Sequence, residues 1–212
     1  MKVLEIEQGS DDWKRFREGR LTGTKIGKVF AKSRNSEELF DTSKHLLGFY
    51  EILAERLTDS DDLTSGVEHG HELEQEALAQ AREELGIDFV SGNVWELDEN
   101  HIESPDGYTE DLKTAIEIKC LSSANHIKAI YEDEYPQEYM AEYLNYFLVN
   151  EKLKTLFVYL YDARFIDKQL RSHWWLISRK DVEAKLKRME EIKQTALRDI
   201  ENAVAKLGGE RL

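Results

Sequence analysis

Apolar positions along this chain switch between helical and strand spacing, and the switches outline its elements. Residues 10–18 place Trp13 and Phe16 on one side of a short helix, with Ser10 as its cap and Gly19 as its stop. The segment Leu21, Thr22, Gly23, Thr24 then leads into a second helix over residues 25–32, opened by a threonine. Leu39, Leu46, Leu47, Tyr50, Leu53 and Leu57 form an apolar face that predicts one long scaffold helix over residues 36–57. The acid-rich interval 58–64 reads as a loop, and residues 67–85 as a further helix terminated by Gly86.

Residues 89–97 and 101–108 read as strands, followed by a strand over 115–121 in which Ile116, Ile118 and Cys120 face one way and Glu117 and Lys119 the other. Helices are predicted at 122–131 and 137–149, and strands at 156–161 and 174–177. Residues 179–207 form a charged closing helix whose packing stripe is Val182, Leu186, Met189, Ile192, Ala196, Ile200, Val204 and Leu207. This order predicts an α/β fold, a mixed central β-sheet flanked by helices. Trp174 and Trp175 must leave opposite strand faces, so at most one enters a given core; the other meets a subunit or shields an edge. A chain of 212 residues, 41% hydrophobic, suits one domain with a substantial core. Cys120 is the only cysteine, which excludes an intrachain disulfide and a multi-cysteine metal site and makes it a candidate small core residue.

The chemistry concentrates in Ser104, Pro105, Asp106, Gly107 and in Glu117, Ile118, Lys119. A polar interval at 111–114 lets the chain double back as a hairpin, so that Asp106 can face Glu117. Magnesium takes one or two carboxylates with waters and phosphate oxygens, which Asp106 and Glu117 supply, and the Ile118 carbonyl offers a third protein oxygen. Lys119, one pleat beyond Glu117, is placed to hold an attacking water and neutralise charge on a phosphate. Asp111 to Lys113, Glu183 to Lys185 and Glu191 to Lys193 share the carboxylate, any residue, lysine spacing, but they lie in a polar loop or a charged helix. From these residues alone, a half-exposed strand with a solvated charge pair is as good an account.

Arg17, beside the opening of the second helix, suits a terminal phosphate, because a guanidinium fork can pair with phosphate oxygens while helix amides face the anion. Ordinary capping beside a surface arginine accounts for the same residues. Glu74 borders the packed face of its helix through Leu73, Ala77 and Leu78. A net charge of -14 excludes a generally basic DNA-coating protein, so any nucleic-acid contact must be local. No apolar run is long enough to span a bilayer and no basic segment with a secretory core opens the chain, which predicts a soluble cytoplasmic protein with no membrane partner.

The order of motifs resembles the YqaJ-like viral recombinase, or lambda exonuclease, family of PD-(D/E)XK nucleases. The resemblance runs from Glu7, Gln8, Gly9 and Trp13 through Arg17, Gly19, Leu21, Thr22 and Thr24 to Gly70 with Glu74. It continues through Ser104 to Gly107, Glu117 to Lys119, and Tyr139, Met140, Ala141. It implies a restriction-endonuclease-like core and one exonuclease domain over 1–212, with 179–207 as its packing helix. It also implies that Arg17, Thr24 and Ser104 bind a 5′-phosphate, that Asp106, Glu117 and Ile118 hold the metal, and that Lys119 and Glu74 complete the catalytic set. Val67 matches the place of an apolar wedge that separates strands. Where the family commonly has glutamine this chain has Glu142, which can join the metal shell, repel DNA if unpaired, or tune the rate.

The activity implied is 5′-to-3′ digestion of one strand of linear duplex DNA with Mg2+, or Mn2+ as a substitute, leaving 3′ single-stranded tails for phage-type recombination. The implied partners are double-stranded DNA ends, a single-strand annealing protein and two further copies in a ring-shaped homotrimer, in a bacterial host cell if the chain is phage-encoded. The alternatives are an end-independent endonuclease or repair nuclease with the same metal core, and a noncatalytic DNA-binding assembly module.

Overall fold

A computed structural model describes residues 1–33, 39–57 and 68–207; Val67 lies outside them. The chain opens with β1 (Lys2–Leu4) and α1 (Asp11–Arg17), whose cap Ser10 accepts from the Trp13 amide. α2 (Gly23–Val29) begins after Thr22, whose hydroxyl accepts from the Lys25 amide, so Thr22 is the cap and Thr24 lies in the first turn. This helix is shorter than expected, because Phe30 turns the chain into β2 (Phe30–Lys32), which pairs antiparallel with β3 (Phe40–His45). The long helix expected over 36–57 is therefore wrong in its first half. The described part consists of β3 and then α3 (Leu47–Leu57).

The reason is tertiary. His45 stacks on nearby Phe49 at 3.9 Å, and two partners distant in sequence fix it at the end of β3: Phe30 at 5.3 Å and Asp199 at 3.0 Å. Local propensity yields to such packing. α4 (Glu68–Leu85) closes before Gly86, as expected.

The expected strand over 89–97 narrows to β4 (Val94–Asp98), and the one over 101–108 divides into β5 (His101–Glu103) and β6 (Gly107–Tyr108). Ser104, Pro105 and Asp106 bridge two sheets. On one side, β1, β4 and β5 form an antiparallel sheet; on the other, β6 joins β7 (Thr114–Lys119). α5 (Ser123–Glu132) and α6 (Met140–Val149) then cross over to β8 (Thr155–Tyr161), which runs parallel to β7, and β9 (Ser172–Ser178) adds antiparallel at the edge. A parallel pair requires such a crossover. The chain ends in α7 (Arg179–Lys206).

The central sheet, in order β6, β7, β8, β9, is mixed and covered on both faces. Ile116 and Ile118 of β7 pack with Phe157 and Tyr159 against Ala77, Leu78 and Ala81 of α4. On the opposite face, Ala115, Leu156, Val158 and Ile177 join Tyr143, Tyr146 and Phe147 of α6 and the stripe of α7. Glu117 and Lys119 share that second face with Ala115 and so point toward α6. The expected stripe of α7 is buried from Val182 to Val204, whereas Leu207 is 63% exposed. Neither Trp174 nor Trp175 enters the core: Trp174 meets the Phe157 ring edge-on, and Trp175 donates to Asp133. Cys120 is exposed just past the end of β7, which corrects its assignment to the core.

Truncating Met189 to alanine, at 0% exposure, should cost about 2 to 5 kcal/mol in urea denaturation, because the cavity it leaves cannot fully collapse. The same change at Leu207 should move stability by less than about 0.5 kcal/mol.

Candidate active site

The hairpin register sets the site. Gly107 lies opposite Ile116, so the preceding Asp106 arrives beside Glu117 and Ile118 at the end of β7. The Ile118 amide donates to Asp106 Oδ2 at 2.7 Å. A strand residue presents its N–H and C=O toward the same edge, so the Ile118 carbonyl faces the side that β6 has vacated. Tyr146 of α6 supports both acids: its hydroxyl donates to Glu117 Oε2 and accepts from the Asp106 amide at 3.4 Å.

Lys119 Nζ contacts Glu117 Oε1 at 2.5 Å and donates to Glu142 Oε2 at 2.8 Å, and it sits 4.4 Å from the centre of the Tyr139 ring. Glu142 in turn accepts from the Thr24 hydroxyl at 3.2 Å. Glu142 is thus paired on both oxygens. It ties the first turn of α2 to the lysine of β7.

The charges are strongly perturbed. Burial, the neighbouring Glu74 and Glu142, opposed by the Ile118 amide and Lys119, push Asp106 up to about 7. Burial and then Asp106 hold Glu117 well above the usual carboxylate range, with Lys119 as the main opposing influence. Burial alone would lower the Lys119 ammonium, but Glu117 and Glu142 outweigh it and the net shift is upward. Lys119 therefore stays protonated. Glu74 reaches the site from α4 as the first electrostatic influence on Asp106 after burial.

A second cluster adjoins the first, two residues upstream of Asp106. Ser104 Oγ accepts from Trp13 Nε1 at 3.1 Å and from Arg17 Nη1 at 2.8 Å. Arg17 lies over the Trp13 ring at 4.3 Å, and its second terminal nitrogen donates to Thr22 Oγ1 at 3.4 Å. Burial lowers the Arg17 pKa, while Glu103, Glu142, Glu117 and Glu55 pull it back up; an arginine remains charged through such shifts.

The structure thus gathers Asp106, Glu117, Ile118, Lys119, Glu142 and Thr24, with Glu74 adjoining, and pairs Arg17 with Ser104. Thr24 engages Glu142, not Arg17. The sequence reasoning missed Tyr146, although it lies four residues after Glu142 and hence on the same helix face. It also missed Glu103, Thr22 and the Trp13 indole as partners of the Ser104 region.

The donors fit a hard divalent cation: buried Glu117, half-buried Asp106 beside it, and a backbone carbonyl, all oxygen. Among the described residues no three His, Cys, Asp or Glu side chains are gathered as a ligand set. Water and phosphate oxygens would supply the remaining positions, as magnesium prefers.

The YqaJ-like viral recombinase domain matches residues 12–152. This chain belongs to that family. Its fold also matches solved exonucleases. LHK-Exo, described as an alkaline exonuclease from Laribacter hongkongensis, is 21% identical, with a TM-score of 0.72 over 94% of this chain and 98% of that one. Its complex with dAMP superposes with the same TM-score at 20% identity, over 94% and 98% of the two chains. A phage-related exonuclease from Haemophilus somnus 129PT is 15% identical, with a TM-score of 0.63 over 89% of this chain and 96% of that one. No curated protein matches. The restriction-endonuclease-like core expected from the motif order is borne out, as is the family. Among the described residues no helix is long and apolar enough to cross a membrane.

The site carries a pH signature. Asp106, raised from 3.8 to about 7, and Glu103, raised from 4.5 to about 8, keep protons in the folded state that the unfolded chain releases. Their contribution to stability is full below the ordinary carboxylate values and is lost as pH rises through about 7 to 8. In metal-free buffer, stability should therefore fall by roughly 2 to 4 kcal/mol between about pH 6 and 8.5. A divalent cation should stabilise the protein more at the higher pH, since binding there displaces fewer protons. Thermal denaturation at both pH values, with and without Mg2+, measures this; a rise in metal-free stability with pH would contradict it.

Proposed function

We propose that this chain is a Mg2+-dependent 5′-to-3′ exodeoxyribonuclease, a single PD-(D/E)XK domain over 1–212, that digests one strand of linear duplex DNA. The observation that carries this reading is the convergence of Asp106, Glu117 and protonated Lys119 at one strand end, two residues from an Arg17–Ser104 pair. Family membership and a fold shared with exonucleases support a nucleic-acid-degrading hydrolase. Mn2+ has the same ligand preference and should substitute.

A cation held by Asp106, Glu117 and the Ile118 carbonyl would neutralise charge on the scissile phosphate and lower the pKa of water. Lys119 then orients the attacking water and offsets the negative charge that grows on phosphorus-bound oxygens. Tyr146 holds Glu117 in place, and Glu142 gives Lys119 a second carboxylate, so the lysine keeps an anchor when Glu117 turns to the cation. Those contacts favour a tethering role for Glu142 over a bare repulsive charge. Glu74 adds negative charge next to Asp106 and suits a supporting acid.

Water forms a bond to phosphorus and the 3′-oxygen leaves with a proton, releasing a mononucleotide and leaving a new 5′-phosphate on the shortened strand. That phosphate is the group the Arg17 fork and Ser104 hydroxyl suit, with Thr24 close by on Glu142. Each cut therefore regenerates the recognised end. The family resemblance extends the proposal to a ring-shaped homotrimer in the cytoplasm, acting with a single-strand annealing protein on the 3′ tails it leaves.

The deciding assay uses purified protein on end-labelled linear duplex, with and without Mg2+, beside covalently closed circles. Linear DNA should shorten from 5′ ends only with the cation, and circles should persist; cut circles would indicate an endonuclease. Replacing Lys119 with alanine should slow cleavage by about 100-fold or more on protein that circular dichroism shows to be folded, with duplex binding retained. Arg17→Ala should reduce the preference for 5′-phosphorylated over 5′-hydroxyl ends by about tenfold, the worth of one charge-assisted contact. An unchanged preference would remove Arg17 from end recognition.

A further inference from the structure

Behind the Arg17–Ser104 pair lies a polar cluster sealed from solvent: Glu103 is 4% exposed, and His101 and Asn145 are 0%. Glu103 Oε1 accepts from the Ser104 amide at 2.9 Å. Its Oε2 accepts from Asn145 Nδ2 at 2.5 Å. The same Nδ2 lies 3.3 Å from the Ile102 carbonyl, and Asn145 Oδ1 is 2.6 Å from His101 Nε2. Asn145 is therefore held on three sides. Glu103 Oε2 also abuts Gly23, the first residue of α2, where a Cβ would collide with it.

One carboxyl group thus joins three elements: the end of β5, the start of α2 and the middle of α6. These carry Ser104, Thr24 and Glu142. An apolar residue at position 103 would suit a core, but it would leave the buried Ser104 amide and one Asn145 Nδ2 proton without this acceptor, which is destabilising. Burial raises the Glu103 carboxyl to about 8, the direct cost of keeping an acid there. Among the carboxylates around Arg17, Glu103 is the first electrostatic influence on the guanidinium.

We propose that Glu103, oriented by Asn145, is a positioning residue of the end-recognition pocket: it fixes the Ser104 backbone and the first turn of α2 so that Ser104 Oγ and Arg17 form a preset anion seat. The inference rests on the assignment of Arg17 and Ser104 to a terminal phosphate. A residue serving only the core would, when removed, disturb Asp106 and slow cleavage of every end alike. A positioning residue changes the affinity for one kind of end.

The test compares steady-state kinetics of Glu103→Ala on duplexes with 5′-phosphate and 5′-hydroxyl ends, alongside Arg17→Ala and with circular dichroism as the check on folding. The expected result is an approximately tenfold fall in the preference for phosphate ends, carried by KM, with kcat on phosphorylated duplex falling less than about threefold. An unchanged preference, or an equal loss of kcat on both ends, would overturn the proposal. If Arg17→Ala collapses the preference and Glu103→Ala does not, only the role of Glu103 is lost; if Arg17→Ala has no effect, the pocket assignment fails and takes this inference with it. Should Glu103→Ala not fold, Gly23→Ala serves in its place, because the added methyl displaces the Glu103 carboxyl without deleting it. The same selective KM effect is expected, and its absence counts against the proposal.

Discussion

A carboxylate buried at the end of a strand must be compensated, and the arrangement around Glu117 is the solution on which this fold turns. Removing an ion from water costs several kcal/mol even after relaxation, and the attraction of a partner repays that only with close geometry and further hydrogen bonds. Glu117, 5% exposed, has the Lys119 ammonium on one oxygen and the Tyr146 hydroxyl on the other. Neither is accidental to the topology. Lys119 shares its face of β7 because side chains alternate, and Tyr146 is delivered by the crossover that the parallel β7–β8 pair requires.

The compensation is incomplete, and the deficit is what chemistry can use. Asp106 and Glu117 crowd together with Glu74 adjoining, and both retain protons more strongly than ordinary carboxylates. A binding site for a hard cation is a place where protein oxygens carry negative charge that their own surroundings do not neutralise. Lys119 sits at the edge of that deficit with a second anchor on Glu142, so its charge stays at the strand end whichever acid it leans on.

The acidic balance of the chain poses no obstacle to a nucleic-acid substrate once positions are known. The charge of -14 is a sum over the whole molecule, whereas Arg17 is held on Ser104, two residues before Asp106, and Lys119 stands between Glu117 and Glu142. Field at a cleft depends on where charges stand and on the low-dielectric walls around them, more than on the total. The stacking of Arg17 on Trp13 and the shared acceptor Ser104 hold a guanidinium in place that would otherwise sample many rotamers.

Much of this was legible without coordinates wherever one period ran unbroken. The two-residue alternation through Ile116, Glu117, Ile118 and Lys119 identified β7 and its faces, because a pleated backbone leaves side chains no other choice. The stripe from Val182 to Val204 fixed the closing helix in the same way, until Leu207, where the helix ends and the core with it. Residues 40–45 carry no such signal: Phe30 and Asp199 hold His45 at the end of their strand, contacts distant along the chain. Cys120 failed for a related reason, since alternation continues only as far as the sheet that enforces it. By itself the sequence determined most of the elements, through local periodicity, and the family with the acids and lysine of its motif, through the resemblance of the motif order. Only the tertiary structure decided that Glu142 tethers Lys119 to Thr24 and that Tyr146 and Glu103 buttress the site, because hydrogen bonds between elements depend on distances that the chain acquires only when it packs.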